Sequence, residues 1–291
     1  MGTLFIVPTP LGNLEDITLR AVRILGQVDL IATEDTRTTG KLLKHLNISC
    51  PMASYFEHSN VSQRQRVLNA LANGDVALVS EAGTPLLSDP GYVLVQTAIE
   101  QGITVVPLPG PNALTTALSA SGLPTDQFLF LGFLPRKAGE RRQLLAGVLQ
   151  QTATLVCFES PHRLRNTLAD MADTLGGERQ VAVCRELTKL HEEIWRGTIT
   201  DAQKEWTERE PRGEFTLVVA GASPPVAWDK SKVEAALVEV LAAGATPKDA
   251  ARQVTDLSGW PKRDVYALVQ EIKVIVQHTG QSQAEAKAKK T

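Results

Sequence analysis

The strongest constraint on the fold is an alternation of short apolar runs with longer amphipathic stretches along residues 1–122. Runs such as 4–7, 76–79 and 105–108 are typical of buried strands, and the stretches between them show helical spacing. This order predicts a parallel sheet with helices on both faces. Open sheets of this kind bind their ligands at the carboxyl ends of the strands. The loops at those ends are therefore where we expect a site.

A second set of strands follows, and it predicts a second sheet of mixed direction. These strands are predicted over residues 128–133, 155–158, 181–184 and 215–219, with a hairpin near 194–199. After Pro224 and Pro225 the pattern becomes helical, and Ser258 and Gly259 join two short helices as in a helix-turn-helix unit. We predict an α/β protein with two α/β domains, 1–122 and 123–224, a cleft between them, and a small all-helical domain at 225–291.

Charge and cysteine content limit the classes of function. The chain of 291 residues has a formal net charge of −2, so a site for a polyanion must be a local basic patch. The helical domain, with ten Lys/Arg against eight Asp/Glu over residues 228–291, is equally compatible with nucleic-acid contact and with a solvated cap. Three scattered cysteines predict no disulfide framework and no metal site. The sequence shows neither a signal peptide nor a membrane-spanning run, which predicts a cytoplasmic protein.

The loop at residues 80–91 carries the most unusual composition in the chain, Ser-Glu-Ala-Gly-Thr-Pro-Leu-Leu-Ser-Asp-Pro-Gly. Gly83 and Gly91 allow sharp turns or a close approach to a ligand, and Pro85 and Pro90 restrict the loop before binding. The loop therefore predicts a ligand cradle. Neither a GxGxxG fingerprint nor a Gly-Lys-Ser/Thr phosphate loop is present, which disfavours NAD and ATP as the ligand.

Polar and basic clusters follow other predicted strands. Glu34 and Asp35 follow the second strand and His58 the third, and such side chains either converge on one cleft or cap helices. The segment 136–142 holds four basic residues, which grip phosphate well and are mildly unfavourable at a helix start. A solvated helix start is the alternative interpretation of that segment.

Taken together and in order, these motifs resemble those of the tetrapyrrole methylase superfamily. The resemblance is closest to its branch that methylates a cytidine 2′-hydroxyl in 16S ribosomal RNA. The matching segments span most of the chain: 7–14, 32–37, 80–91, 107–111, 132–135, 159–163, 185–189 and 213–215. Glu81 stands where aspartate is common in that family.

The resemblance implies a homodimer that binds S-adenosylmethionine between the two α/β domains and acts on small-subunit ribosomal RNA or the assembled subunit. The cofactor-binding residues it implies are Pro8, Glu81, Gly83, Thr84, Leu87, Ser88, Asn112, Thr115, Phe158, Glu159, Leu187, Gly213 and Phe215. Candidates for a base that assists the hydroxyl are Glu34, Asp35, His58, Glu81 and Glu159. Candidates for RNA contact are Arg37, Arg64, Arg136, Lys137, Arg141, Arg142 and Arg163.

Two other functions are compatible with these motifs. The first is a small-molecule tetrapyrrole methylase on the same scaffold, which would need neither the basic segment nor the helical domain. The second is a non-catalytic RNA-binding assembly factor, which would bind RNA tightly without transferring a methyl group.

Overall fold

The structure, a computed structural model, describes residues 1–55, 61–223 and 228–272. The first half contains a five-stranded sheet whose neighbouring strands are all parallel, in the order β3-β2-β4-β1-β5. Its strands are β1 (Thr3–Ile6), β2 (Leu30–Thr33), β3 (Met52–Ser54), β4 (Val76–Val79) and β5 (Thr104–Pro107). The connecting helices are α1 (Leu19–Leu25), α2 (Thr36–His45), α3 (Val61–Asn73) and α4 (Tyr92–Glu100), and α5 (Ala113–Ser121) follows β5.

Helices cover both faces of this sheet because its strands are apolar on both sides. In β4 every residue is buried. Val76 and Leu78 pack with residues of α3 and α4, whereas Ala77 and Val79 pack with residues of α1 and α2. A continuous apolar strand is what a parallel sheet with two covered faces requires. The predicted fold class is confirmed.

The second half contains a five-stranded mixed sheet in the order β6-β7-β10-β8-β9. Its strands are β6 (Phe128–Phe133), β7 (Thr154–Glu159), β8 (Gln180–Arg185), β9 (Glu193–Thr198) and β10 (Phe215–Val219), and its helices are α6 (Ala138–Gly147), α7 (Leu164–Leu175) and α8 (Ile199–Glu208). Only β6 and β7 pair in parallel. The predicted hairpin is formed by β8 and β9. Ile199, however, is the first residue of α8, whose N-terminus is stabilised by a capping box between Thr198 and Asp201.

Helix α5 connects the two halves through its packing. Leu114, Ala117 and Leu118 of α5 lie against Val156 and Val218 of the second sheet, so this helix covers one face of that sheet. The contacts within the chain accordingly place both sheets in one compact unit, residues 1–222. The domain boundary predicted at residue 123 falls inside that unit and stays a prediction.

Residues 223–291 form the other compact unit. Its described helices are α9 (Lys230–Ala242), α10 (Pro247–Ser258) and a third helix over 262–272. They share an apolar core that includes Val233, Leu237, Val254 and Leu268. Gly259, at φ 68°, ends α10 in the left-handed conformation, which glycine adopts without steric strain.

Candidate active site

The order of the first sheet creates a crevice at the carboxyl ends of β1 and β4. These two strands are neighbours, but α1 and α4, the helices that follow them, pack on opposite faces of the sheet. Their loops separate there and leave the space in which open α/β sheets bind ligands. A short antiparallel bridge ties the two loops together, with the Thr9 N–H donating to the Gly83 carbonyl at 2.9 Å and the Gly83 N–H donating back at 2.8 Å.

A cleft of about 430 Å³, which we call the main cleft, opens from this crevice and is bounded by both sheets. The wall from the first half consists of Leu11, Glu34, Glu81, Ala82, Gly83, Thr84, Leu87, Ser88, Asp89, Asn112 and Ala113. The opposite wall consists of Phe133, Phe158, Glu159, Ser160, Pro161, Cys184, Leu187, Glu214, Phe215 and Thr216. One wall is therefore rich in carboxylates and loop backbone, and the other presents aromatic and apolar surface. That combination is typical of a site for a small organic ligand.

The 80–91 loop holds its shape against backbone strain. Leu86 and Ser88 adopt φ values of 75° and 65°, which non-glycine residues rarely do, and Gly83 and Gly91 also have positive φ. Asn112, which caps α5, donates from its side-chain amide to the Thr84 hydroxyl at 3.2 Å. Strain of this kind persists where the surroundings over-determine a loop, and it is concentrated at ligand sites.

Three carboxyl groups line the first wall of the main cleft: Glu34, Glu81 and Asp89. Burial, together with the negative charge of Glu34, raises the pKa of Asp89 to about 6. Glu81 is exposed, and within the part of the chain that the structure describes it forms no hydrogen bond or ion pair. The cleft thus presents negative charge and hydrogen-bond acceptors at the end of β4.

The structure brings ten of the thirteen predicted cofactor-binding residues to the main cleft. Pro8, Thr115 and Gly213 do not line it. Pro8 is buried against Gly110, and Thr115 lies in the first turn of α5, where its N–H and hydroxyl bond to Asn112. A side chain on Gly213 would overlap the Glu186 carboxyl, so this glycine positions Glu186 and the adjoining Glu214.

The candidate bases differ sharply in their surroundings. Asp35 caps α2, and its hydrogen bond with the Arg37 guanidinium lowers its pKa to about 2, which makes it a weak base. Glu159 is buried and accepts hydrogen bonds from the Ser160 N–H, Arg163 and Thr167. Both carboxylates therefore have structural partners. His58 lies outside the described residues.

The seven predicted RNA contacts separate into exposed and structural cations. Arg37, Arg136, Lys137 and Arg142 are exposed, although Arg37 pairs with Asp35, Lys137 with Glu140 and Arg142 with Asp170. The Arg141 side chain is only 4% exposed and pairs with Asp170, so little of it is accessible, and its assignment to RNA stays a prediction. Arg163 pairs with the buried Glu159 and donates to the Leu134 carbonyl. Arg64 lies partly buried on α3.

Sequence reasoning missed several residues of the main cleft. Asp89 is the most consequential of them. Its elevated pKa depends on burial and on the nearby charge of Glu34, and a sequence shows neither the burial nor the proximity. Phe133 and Glu214 belong to segments that carried the family resemblance, so the resemblance could have found them. Cys184 was interpreted only as a strand residue. Among the described residues, no group of three His, Cys, Asp or Glu side chains could hold a metal ion.

Comparison with known proteins places this architecture in a family. The family model for tetrapyrrole (corrin/porphyrin) methylases matches residues 3–203, which include the first sheet and strands β6 to β9 of the second. The chain belongs to the tetrapyrrole methylase family. Within the family, a protein named ribosomal RNA small subunit methyltransferase I from Halalkalibacterium halodurans is 49% identical over 271 residues, covering 91% of this chain and 93% of the relative. A relative of the same name from Synechocystis is 47% identical over 275 residues, covering 94% and 99%.

Solved structures of the family share this fold at low sequence identity. The methyltransferase CobJ is 15% identical, with a TM-score of 0.59 over 76% of this chain and 95% of that one. A uroporphyrin-III C-methyltransferase from Thermus thermophilus, in complex with S-adenyl homocysteine, is 17% identical with a TM-score of 0.54, over 75% of this chain and 97% of that one. These similarities support the fold alone.

The main cleft suits the cofactor of a methylase on the chemistry of its walls. S-adenosylmethionine carries a cationic sulfonium, an ammonium group, ribose hydroxyls and a flat adenine. Glu81 and Asp89 supply charge and acceptors for the cationic and hydroxyl groups, and Phe133, Phe158 and Leu187 supply a surface on which an aromatic ring can pack. The two phenylalanine rings meet edge to face, with centroids 5.6 Å apart.

Proposed function

We propose that the protein transfers a methyl group from S-adenosylmethionine to a cytidine 2′-hydroxyl in small-subunit ribosomal RNA. The observation that carries this proposal is the near-full-length similarity, at 47–49% identity, to relatives named ribosomal RNA small subunit methyltransferase I. Similarity of this extent covers the main cleft and much of the helical unit together. The position of the methylated atom rests on the family resemblance of the motifs.

The protein contributes mainly by holding and orienting its partners. Bound S-adenosylmethionine supplies an activated methyl group, so the side chains need not form covalent bonds with the substrate. The 80–91 loop and the wall around Phe158 and Leu187 would hold the cofactor. Correct placement of a nucleophile beside such a group accounts for much of the rate that an enzyme can supply.

A ribose hydroxyl is a weak acid, and a carboxylate beside it would accept its hydrogen bond. Glu81 and Asp89 line the cleft, and neither has an ion pair within the described residues. The pKa of Asp89, about 6, leaves this carboxyl mostly ionised at neutral pH while making it a stronger base than an ordinary aspartate. These two groups support the proposal better than Asp35 or Glu159, whose carboxylates have structural partners.

The exposed cations are the candidates for holding the RNA backbone. Arg136, Lys137 and Arg142 lie at and just before the start of α6, and Phe133 in the adjacent strand lines the main cleft. Contacts to phosphate position an RNA without reading its sequence, and they weaken as salt rises.

The decisive experiment offers labelled S-adenosylmethionine to the protein with small ribosomal subunits from a strain that lacks this methyltransferase. We expect label in one cytidine ribose, identified by nuclease mapping. A uroporphyrin acceptor in parallel tests the small-molecule alternative. Tight binding to the subunit without any transfer would instead support a non-catalytic assembly factor.

We further propose that the protein acts as a cytoplasmic homodimer. No helix within residues 1–55, 61–223 and 228–272 is long and apolar enough to cross a membrane. Exposed apolar side chains at Tyr92, Val93 and Ile99 on α4 offer one surface that a second copy could cover. Light scattering of the purified protein would measure the mass, and a monomer at all concentrations would contradict the dimer.

A further inference from the structure

A second pocket of about 200 Å³, which we call the side pocket, lies beside the main cleft. The loop after β1 supplies one wall through Pro10 and Leu14, and α2 supplies another through Thr38 and Lys41. Glu81 lines both cavities, and among the described residues it is the only one that they share. A ligand in the side pocket would therefore meet the main cleft at the Glu81 carboxylate.

The buried polar groups of the side pocket hold its shape and are not available to a ligand. The Thr9 hydroxyl donates to the Ser80 carbonyl, and the Ser80 hydroxyl lies 3.2 Å from the Gly83 carbonyl and donates to it. The Thr39 hydroxyl is 2.6 Å from the Thr33 hydroxyl, and the two share one hydrogen bond. Because these hydroxyl groups are hydrogen-bonded to other groups of the protein, the pocket is formed before a ligand enters. A pre-formed pocket reduces the entropy lost on binding.

The accessible groups, in contrast, are unpaired. The side chains of Thr38, Lys41 and Glu81 are exposed, and none has a hydrogen-bond or ion-pair partner in the part of the chain that the structure describes. Arg37, whose side chain is 87% exposed, stands one turn before Lys41 on α2. Arg37 pairs with Asp35 and does not line the pocket. The pocket thus offers one cation, Lys41, on its α2 wall and a carboxylate, Glu81, on the wall that it shares with the main cleft.

This distribution matches the parts of one nucleotide. A phosphate suits Lys41, a ribose hydroxyl donates well to a carboxylate, and a base can pack on Leu14 and Leu42. The dimensions admit a single nucleoside, whereas a tetrapyrrole macrocycle is several times larger. Enzymes that act on one nucleotide of a folded RNA commonly extrude it into such a pocket.

We propose that the side pocket receives the target nucleotide, with its phosphate at Lys41 and its ribose at Glu81. The inference rests on the proposed function, because it supplies the acceptor site for that reaction. It places the ribose hydroxyl beside the main cleft through the one side chain that lines both cavities. Lys41 adds a contact on α2, away from the basic segment at 136–142.

The test compares three single variants of the full-length protein. Thr38→Met fills the pocket from an exposed position, and Lys41→Ala removes its unpaired cation. Lys44→Ala is the matched control, because Lys44 is an exposed lysine on the same helix that lines neither cavity. Each variant is assayed for kcat and KM with undermethylated small subunits, for S-adenosylhomocysteine affinity by calorimetry, and for thermal unfolding.

We expect Thr38→Met and Lys41→Ala to raise KM for the subunit by about tenfold or more, as for the loss of one charge-assisted contact. S-adenosylhomocysteine affinity and the melting temperature should stay near those of the wild type, and Lys44→Ala should behave as the wild type throughout. Wild-type KM in both pocket variants overturns the inference, as does an equal loss in Lys44→Ala. A parallel loss of S-adenosylhomocysteine affinity would assign the pocket to the cofactor and also overturns it.

The wild-type protein tests the proposed function separately from the side-pocket inference. If that protein binds S-adenosylhomocysteine but transfers no methyl group to subunits, the proposed function fails and the side-pocket inference fails with it. If the wild type methylates subunits while the pocket variants match it, only the inference fails.

Discussion

Asp89 holds a negative charge in a half-buried position beside Glu34, and this charge opposes folding. The pKa of Asp89 is about 6 in the folded chain, mainly because of burial, against an ordinary value of 3.8. The folded state therefore holds this proton more tightly than the unfolded state does. Stability from this group is lost as the pH rises from about 4 to 6, because the carboxyl must then ionise in an unfavourable setting.

We predict that Asp89→Asn raises the free energy of unfolding by roughly 1 kcal/mol at pH 7.5, a value reduced from the full shift because water reaches part of the group. The gain should shrink below pH 6 and vanish near pH 4, where Asp89 is protonated in both states. Urea unfolding at the two pH values measures the difference. An equal gain at pH 4 would show that the effect does not come from the charge.

Among the secondary-structure elements, the 80–91 loop joins β4 to α4, and at Gly91 its backbone adopts a conformation that favours glycine. Gly91 has a φ of 137°, and a Cβ there would lie 2.8 Å from the Leu78 side chain in β4. The loop is thereby pressed against the strand that carries it, which fixes the wall of the main cleft.

Gly91→Ala should lower the free energy of unfolding by about 1–3 kcal/mol, since it combines backbone strain with a steric clash. It should also weaken S-adenosylhomocysteine binding. The control is Gly139→Ala, where an added Cβ would meet no described atom within 4 Å beyond its chain neighbours and its own helix backbone, and the helical setting favours alanine by about 0.5–1 kcal/mol. Both are measured by urea unfolding and calorimetry. A stable Gly91→Ala variant with normal affinity would contradict this account of the loop.

Two arginines near the start of α6 have opposite surroundings. Arg141 is buried and donates to Asp170 at 2.6 Å, and it also donates to the Pro135 and Arg136 carbonyls. Arg136, just before the helix, is exposed. The sequence assigned both to RNA, and the exposed one is the more accessible to a phosphate.

We expect Arg141→Ala to destabilise the protein by about 3–5 kcal/mol, because it removes the buried partner of Asp170 and leaves this carboxylate only its 3.5 Å contact with Arg142. Arg136→Ala should change stability by less than about 0.5 kcal/mol but weaken binding to small subunits and reduce its salt dependence. Thermal unfolding and binding at several salt concentrations separate the two. If the binding of Arg136→Ala to small subunits has the same strength and salt dependence as that of the wild type, the assignment of Arg136 to RNA contact is contradicted.

At the scale of the whole molecule, both cavities belong to residues 1–222, and the helical unit has a core made of its own residues. A chain ending at residue 222 should therefore unfold cooperatively and bind S-adenosylhomocysteine within about threefold of the full-length affinity. Calorimetry of the two proteins tests this. Loss of cooperative unfolding in the shorter chain would mean that the units depend on each other for stability.

The fold class was largely readable from the sequence because periodicity and turn residues are local signals. β4, β6 and β10 begin and end where the pattern predicts them. Helix α8 was missed, since its start follows the last residue of β9 directly and no glycine or proline separates them. The packing of α5 on the second sheet could not be predicted either, because the sequence of a short helix does not show which sheet its apolar face contacts.

Local sequence patterns were enough to predict the α/β architecture and the family, and they nominated the loops at the strand ends as the candidate site. Only the tertiary structure decided which charged groups are available for chemistry. It buried Arg141 with Asp170, paired Asp35 with Arg37, raised the pKa of Asp89 and placed the exposed Glu81 on the lining of both cavities. The physical reason is that burial and electrostatic partners come from residues distant in the chain, and they set the protonation and accessibility of each group.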